Sequence, residues 1–132
     1  MNENAKAWVA ALRSGEFTQA KHVLHYKDDG YCCLGVACEL FDRANPGVLD
    51  IDSTSLNDSG HVVITYNGID SVLPIVVQQW LGLRGQEGPH DSDLYDGDSL
   101  TGLNDGGCTF AEIAALIESE PRGLFVSGDG AD

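Results

Sequence analysis

The stretch GYCCLGVACELF, residues 30–41, decides the fold, because it packs three of the chain's four cysteines into seven positions of a segment with the composition of a buried helix. A helix is expected from about Cys32 to Ala44. Its apolar residues, at 32, 33, 34, 36, 37, 38, 40 and 41, cover nearly the whole circumference, and a helix that is apolar all round belongs at the centre of a domain. Asn45-Pro46-Gly47 ends it, since proline disfavours helix at the residue before it and glycine takes the left-handed turn. The thiols inside it have a core role or a chemical one. A cysteine at a helix N-terminus can become a nucleophile if His22 or His25 serves as base. The set His22, His25, Cys32 and Cys33 also has some metal-ligand character, although adjacent cysteines close a tetrahedral zinc site awkwardly. Cysteine is among the most buried residue types and the run around it is apolar, so core packing is the expectation.

Working outward, Ala5, Trp8, Val9 and Leu12 form the i, i+3, i+4, i+7 stripe of a first helix that Ser14-Gly15 stops. Between the two helices, residues 16–31 read as loop plus a short strand, with a turn over Lys27 to Gly30. Downstream, HVVITYNGIDSVLP (61–74) reads as a hairpin: a β-branched strand, an Asn67-Gly68 turn and a second short strand ending at Pro74. A third helix follows, with Leu73, Val76, Val77 and Trp80 on one side and Gly82 as its stop. Residues 84–107 read as loop. The last helix has Thr109 as N-cap, Glu112 completing a capping box, and Phe110, Ile113, Ala114 and Ile117 on one face. The segments TSLNDSG (54–60) and TGLNDGG (101–107) echo one another and read as two side-chain-capped turns.

The expected architecture is therefore α+β: about four helices with a small antiparallel hairpin or sheet, in one compact domain over residues 1–132, with a tail fraying from about residue 124. At 132 residues the chain is long enough to bury a core without disulfides, and the cysteine spacing is unlike a secreted disulfide framework. The N-terminus lacks the basic-then-apolar order of a signal peptide and no apolar run reaches bilayer length, so a cytoplasmic, non-membrane protein is expected.

Charge narrows the function classes. The chain carries 21 Asp and Glu against 7 Lys and Arg, a net −14. Residues 1–38 balance four acids with four bases, so the whole excess lies in residues 39–132. Such a surface repels nucleic acids and anionic membranes and attracts cations or basic proteins. The densest stretch, EGPHDSDLYDGDS, holds Glu87, Asp91, Asp93, Asp96 and Asp98 with no Lys or Arg among them. It fails the EF-hand pattern, with Tyr95 where a ligand belongs, Asp96 where glycine is needed and no Glu at the twelfth position. These five carboxylates are the candidate site for a protein partner. A small-molecule pocket is the alternative, built from Gln78, Trp80, Arg84, Asn104 and Asp105, with Arg122 as a further donor. No phosphate-binding loop, nucleophile elbow or zinc-protease helix is present, and neither a cofactor nor a resident metal is expected.

Four ordered blocks, WVAALRSGEFTQAKHVL, GYCCLGVACELF, LPIVVQQWLGL and LNDGGCTFAEIAALIE, resemble a group of small uncharacterised proteins encoded by bacteriophages and prophages. The resemblance implies a phage accessory protein active in an infected bacterial host and transfers no catalytic residue. The stretches 48–70 and 87–98 look individual to this member. The function expected is binding of a host protein, in the manner of a counter-defence inhibitor whose acidic face imitates nucleic acid. Sequestration of a small-molecule signal and a cysteine-dependent hydrolase or transferase are the alternatives.

Overall fold

The computed structural model describes residues 1–27, 29–55, 62–89 and 99–126. In chain order the elements are α1 (Glu3–Arg13), β1 (His25–Tyr26), β2 (Gly30–Tyr31), α2 (Cys33–Ala44), β3 (Ile51–Ser55), β4 (Val62–Tyr66), α3 (Ile75–Leu81), α4 (Leu100–Asp105) and α5 (Phe110–Glu118). The strands form one antiparallel sheet in the order β2-β1-β4-β3. Helices and sheet share a single core, so the fold is α+β with α2 at its centre.

α2 earns that place through side chains on every turn: Cys33, Leu34, Val36, Ala37 and Cys38 are each fully buried. Two glycines of the same motif let main chain approach main chain. A Cβ on Gly35 would collide with the Leu24 carbonyl, which already accepts the Cys32 N–H at 3.0 Å. A Cβ on Gly30, at φ +144°, would likewise collide with the Thr18 carbonyl, which accepts the Tyr31 N–H at 2.8 Å. The motif therefore clamps the 18–24 loop against the start of the helix, a role that only glycine permits at both contacts. From the other side, buried Trp8 of α1 donates its indole N–H to the Cys33 carbonyl at 2.8 Å.

Three expectations need correction. The hairpin partner of β4 is β3, upstream of it, with Ile51 opposite Tyr66 and Thr54 opposite Val63. The Asn67-Gly68 turn forms, with φ +55° and +79°, but it closes only on Ile69. Beyond it the chain is drawn away, because the Asp70 carbonyl takes the Leu24 N–H and buried Leu73 exchanges bonds with Gln86. Second, residues 100–105, expected as loop, form α4, so the second L-N-D segment is helix and not a turn; most of the first lies outside the described residues. Third, residues 124–126 do not fray. Leu124 is fully buried, its carbonyl accepts the Arg84 N–H at 2.9 Å, and the Val126 N–H reaches the Gly82 carbonyl at 2.8 Å.

Candidate functional site

The thiols are core. Cys32, Cys33 and Cys38 are buried and unpaired by disulfide, and burial pushes the Cys32 thiol up to about 11 and those of Cys33 and Cys38 well above the usual range. Cys33 Sγ points at the Leu100 carbonyl, 3.8 Å away. A thiol held protonated is a poor nucleophile. The two histidines face elsewhere. His22, in a left-handed conformation at φ +78°, is fixed by Asp105, whose Oδ1 accepts its backbone N–H at 2.7 Å and whose Oδ2 lies 3.6 Å from its ring Nδ1. His25 stacks on Tyr31 with centroids 3.9 Å apart, and its Nδ1 is 3.0 Å from the Tyr66 hydroxyl. Among the described residues no three His, Cys, Asp or Glu side chains gather around a common metal position.

Of the residues considered for a small-molecule pocket, Asn104 has the most demanding environment. It is the one polar side chain in the core among the described residues. Its Oδ1 accepts from Gln19 Nε2 at 2.9 Å and from the Cys33 backbone N–H at 3.2 Å, while its Nδ2 donates to the Ala20 carbonyl at 2.7 Å. Gln19 extends the network to the Cys108 carbonyl (2.7 Å) and, through Oε1, to the Phe110 N–H (3.0 Å). Asn104 and Asp105 thus tie α4 to the 18–24 loop, the start of α2 and the start of α5. Gln78 and Arg84 lie in a different region. Gln78 donates to the Leu83 carbonyl and Arg84 to the Phe125 carbonyl, while Trp80 packs edge-on against Phe41. Arg122 is exposed. The structure does not bring these residues together.

Two shallow clefts are present elsewhere. One, of about 220 Å³, is lined by Glu16, Thr18, His25, Tyr26, Lys27, Asp29, Gly30 and Tyr31. The other, of about 230 Å³, is lined by Val72, Gly85, Gln86, Glu87 and Pro89. Both fall below the roughly 300–1,000 Å³ of ordinary ligand pockets.

The charge distribution is more distinctive. The cations that form ion pairs are spent locally: Arg13 on Glu118, Arg43 on Glu16 and Glu39, Lys6 on Glu3, and the N-terminal ammonium on Glu120. Among the described residues no such pair reaches Asp50, Asp52, Asp70 or Glu87. Asp50 and Asp52 are exposed on and beside β3, an edge strand, with Ile51 between them 41% exposed and Val48 56% exposed. Asp50 is joined to Asn67 by two bonds, Asn67 N–H to the Asp50 carbonyl and Asp50 N–H to Asn67 Oδ1, which sets this acidic end of β3 beside the turn that leads to Asp70. Exposed Glu87 lines the cleft it shares with Val72 and Gln86; Asp91, Asp93, Asp96 and Asp98 lie outside the described residues. Sequence reasoning passed over Asp50 and Asp52. The signal was the D-I-D alternation at 50–52, which has the period of a strand with one charged face.

No curated protein and no solved structure matches the chain. A family model does, over residues 1–121, a span that includes every helix and strand described above. The chain therefore belongs to the family described as a domain of unknown function, DUF8296.

Proposed function

We propose that the protein is a phage accessory protein that acts in the host cytoplasm by binding a host protein with a basic surface, in the manner of a counter-defence inhibitor whose carboxylates stand in for nucleic-acid phosphates. The observation that carries this reading is the uncompensated charge. The chain carries a net −14, Lys6, Arg13 and Arg43 are drawn into local pairs, and among the described residues no ion pair reaches exposed Asp50, Asp52 or Glu87. Asp91, Asp93, Asp96 and Asp98, in the sequence that follows Glu87, belong to the same surplus. Such a surface accelerates encounter with a cationic partner and selects its sign. Protonated, buried thiols weigh against a cysteine-dependent enzyme, and the two clefts lined by described residues, of about 220 and 230 Å³, are small for a nucleotide-sized signal.

The test is affinity capture from bacterial host lysate at low and raised salt. The bait is either the wild type or a variant with Asp91, Asp93, Asp96 and Asp98 changed to Asn. The wild type is expected to retain one basic protein that raised salt releases, and the variant to retain less of it. Capture indifferent to both salt and neutralisation contradicts the reading. So does a small molecule that co-purifies with the wild type in stoichiometric amount while no protein is retained.

A further inference from the structure

We infer, resting on the proposed function, that the docking element is the outer edge of β3, and that the partner adds to it an extended segment with Lys or Arg on one face and apolar side chains on the other. β3 is an edge strand whose described neighbour is β4 alone. The Asp50–Asn67 bonds fix which backbone groups face β4. In an antiparallel ladder these positions alternate, so residues 52 and 54 also face β4, while the N–H and C=O groups of Ile51 and Ser53 point outward. Strand addition uses such a row of groups.

Side-chain alternation specifies the occupant. Asp50 and Asp52 share one face of the strand and Ile51 the other, so a complementary strand carries cations and apolar residues alternately. A second copy of this chain fits poorly, because it would set Asp50 and Asp52 across from like charges. The Ser53 N–H is held by Asp52 Oδ1 at 2.8 Å. A partner carbonyl replaces that contact and frees the carboxylate for a cation.

The probe is a dye-labelled hexapeptide alternating lysine and valine, compared with its backbone N-methylated analogue, which keeps the charges and loses the donors. Binding to the wild type is read by fluorescence anisotropy, and exchange protection by amide hydrogen exchange. The unmethylated peptide is expected to bind and protect the Ile51 and Ser53 amides, and methylation to weaken binding roughly tenfold or more. The Asp50→Asn, Asp52→Asn variant should bind more weakly and with less salt dependence. Ser53→Pro, which removes an outward donor at a position where edge strands tolerate proline, should bind weakly while melting as the wild type. The methylated peptide needs no change in the protein and decides the matter even if that variant does not fold. Equal binding of both peptides without protection at Ile51 and Ser53 overturns strand addition and leaves charge-driven binding standing. Failure of both peptides to bind at low salt removes strand addition and charge-driven binding together. A wild-type dimer that Ser53→Pro dissociates assigns the edge to a second copy and overturns the inference.

Discussion

Asn104 shows what a single polar residue does in this core. Its amide satisfies three groups from two segments, the 18–24 loop and the start of α2, and each buried group left unsatisfied costs about 1–3 kcal/mol. Asn104→Ala is therefore expected to cost more stability in urea denaturation than Asp105→Ala, whose carboxylate acts nearer the surface. A smaller loss in Asn104→Ala would mean that the network is not cooperative. His25 carries a second residue-scale expectation. Burial lowers its pKa below the ordinary 6.5, so the folded chain holds it neutral. Its contribution to stability is complete above pH 6.5 and erodes as pH falls from 6.5 through the lower folded value. His25→Gln should flatten the stability profile across that window, and an unchanged profile would show that the ring titrates normally. Sequence alone separated core thiols from reactive ones, because an apolar run on every side of Cys33 implies burial and burial opposes thiolate. It could not find the partners of Asn104, because Gln19 and Cys33 lie 85 and 71 positions away and only the tertiary fold brings them near.

Elements with strong local signals were legible and weaker ones were not. α5 carries a complete capping box and an apolar stripe, so its start and its buried face follow from residues 109–117. Phe110→Ala and Ile117→Ala should each cost about 2–5 kcal/mol, and Thr109→Ala about 1 kcal/mol through the lost cap. Glu118→Ala should change little, since its partner Arg13 is exposed. Near-native melting of Ile117→Ala would contradict the packing of this helix. α4 was hidden because it is six residues long and contains Gly102; its cap, Ser99 Oγ accepting the Gly102 N–H at 3.1 Å, adds only a local signal. The hairpin turn was read correctly from Asn67-Gly68. The partner of β4 was not, because a tight turn does not compel pairing when buried Leu73 and the Asp70 carbonyl bind elsewhere.

At the scale of the whole molecule, composition stated the sign of the charge and the fold decides where it remains unpaired. Among the described residues the ion pairs of Lys6, Arg13 and Arg43 lie on helices, and the β3 edge keeps its carboxylates exposed. A net −14 on 132 residues also acts at a distance, over a Debye length of about 8 Å at physiological ionic strength and about 3 Å at 1 M salt. The most direct test of the account is the association rate of the captured partner, measured by stopped flow across a salt series for the wild type and for a variant with Asp50, Asp52, Asp91, Asp93, Asp96 and Asp98 changed to Asn. The account predicts a wild-type rate that falls steeply with salt and a variant rate that is slower at low salt and nearly flat. Equal rates for the two proteins, independent of salt, would contradict it.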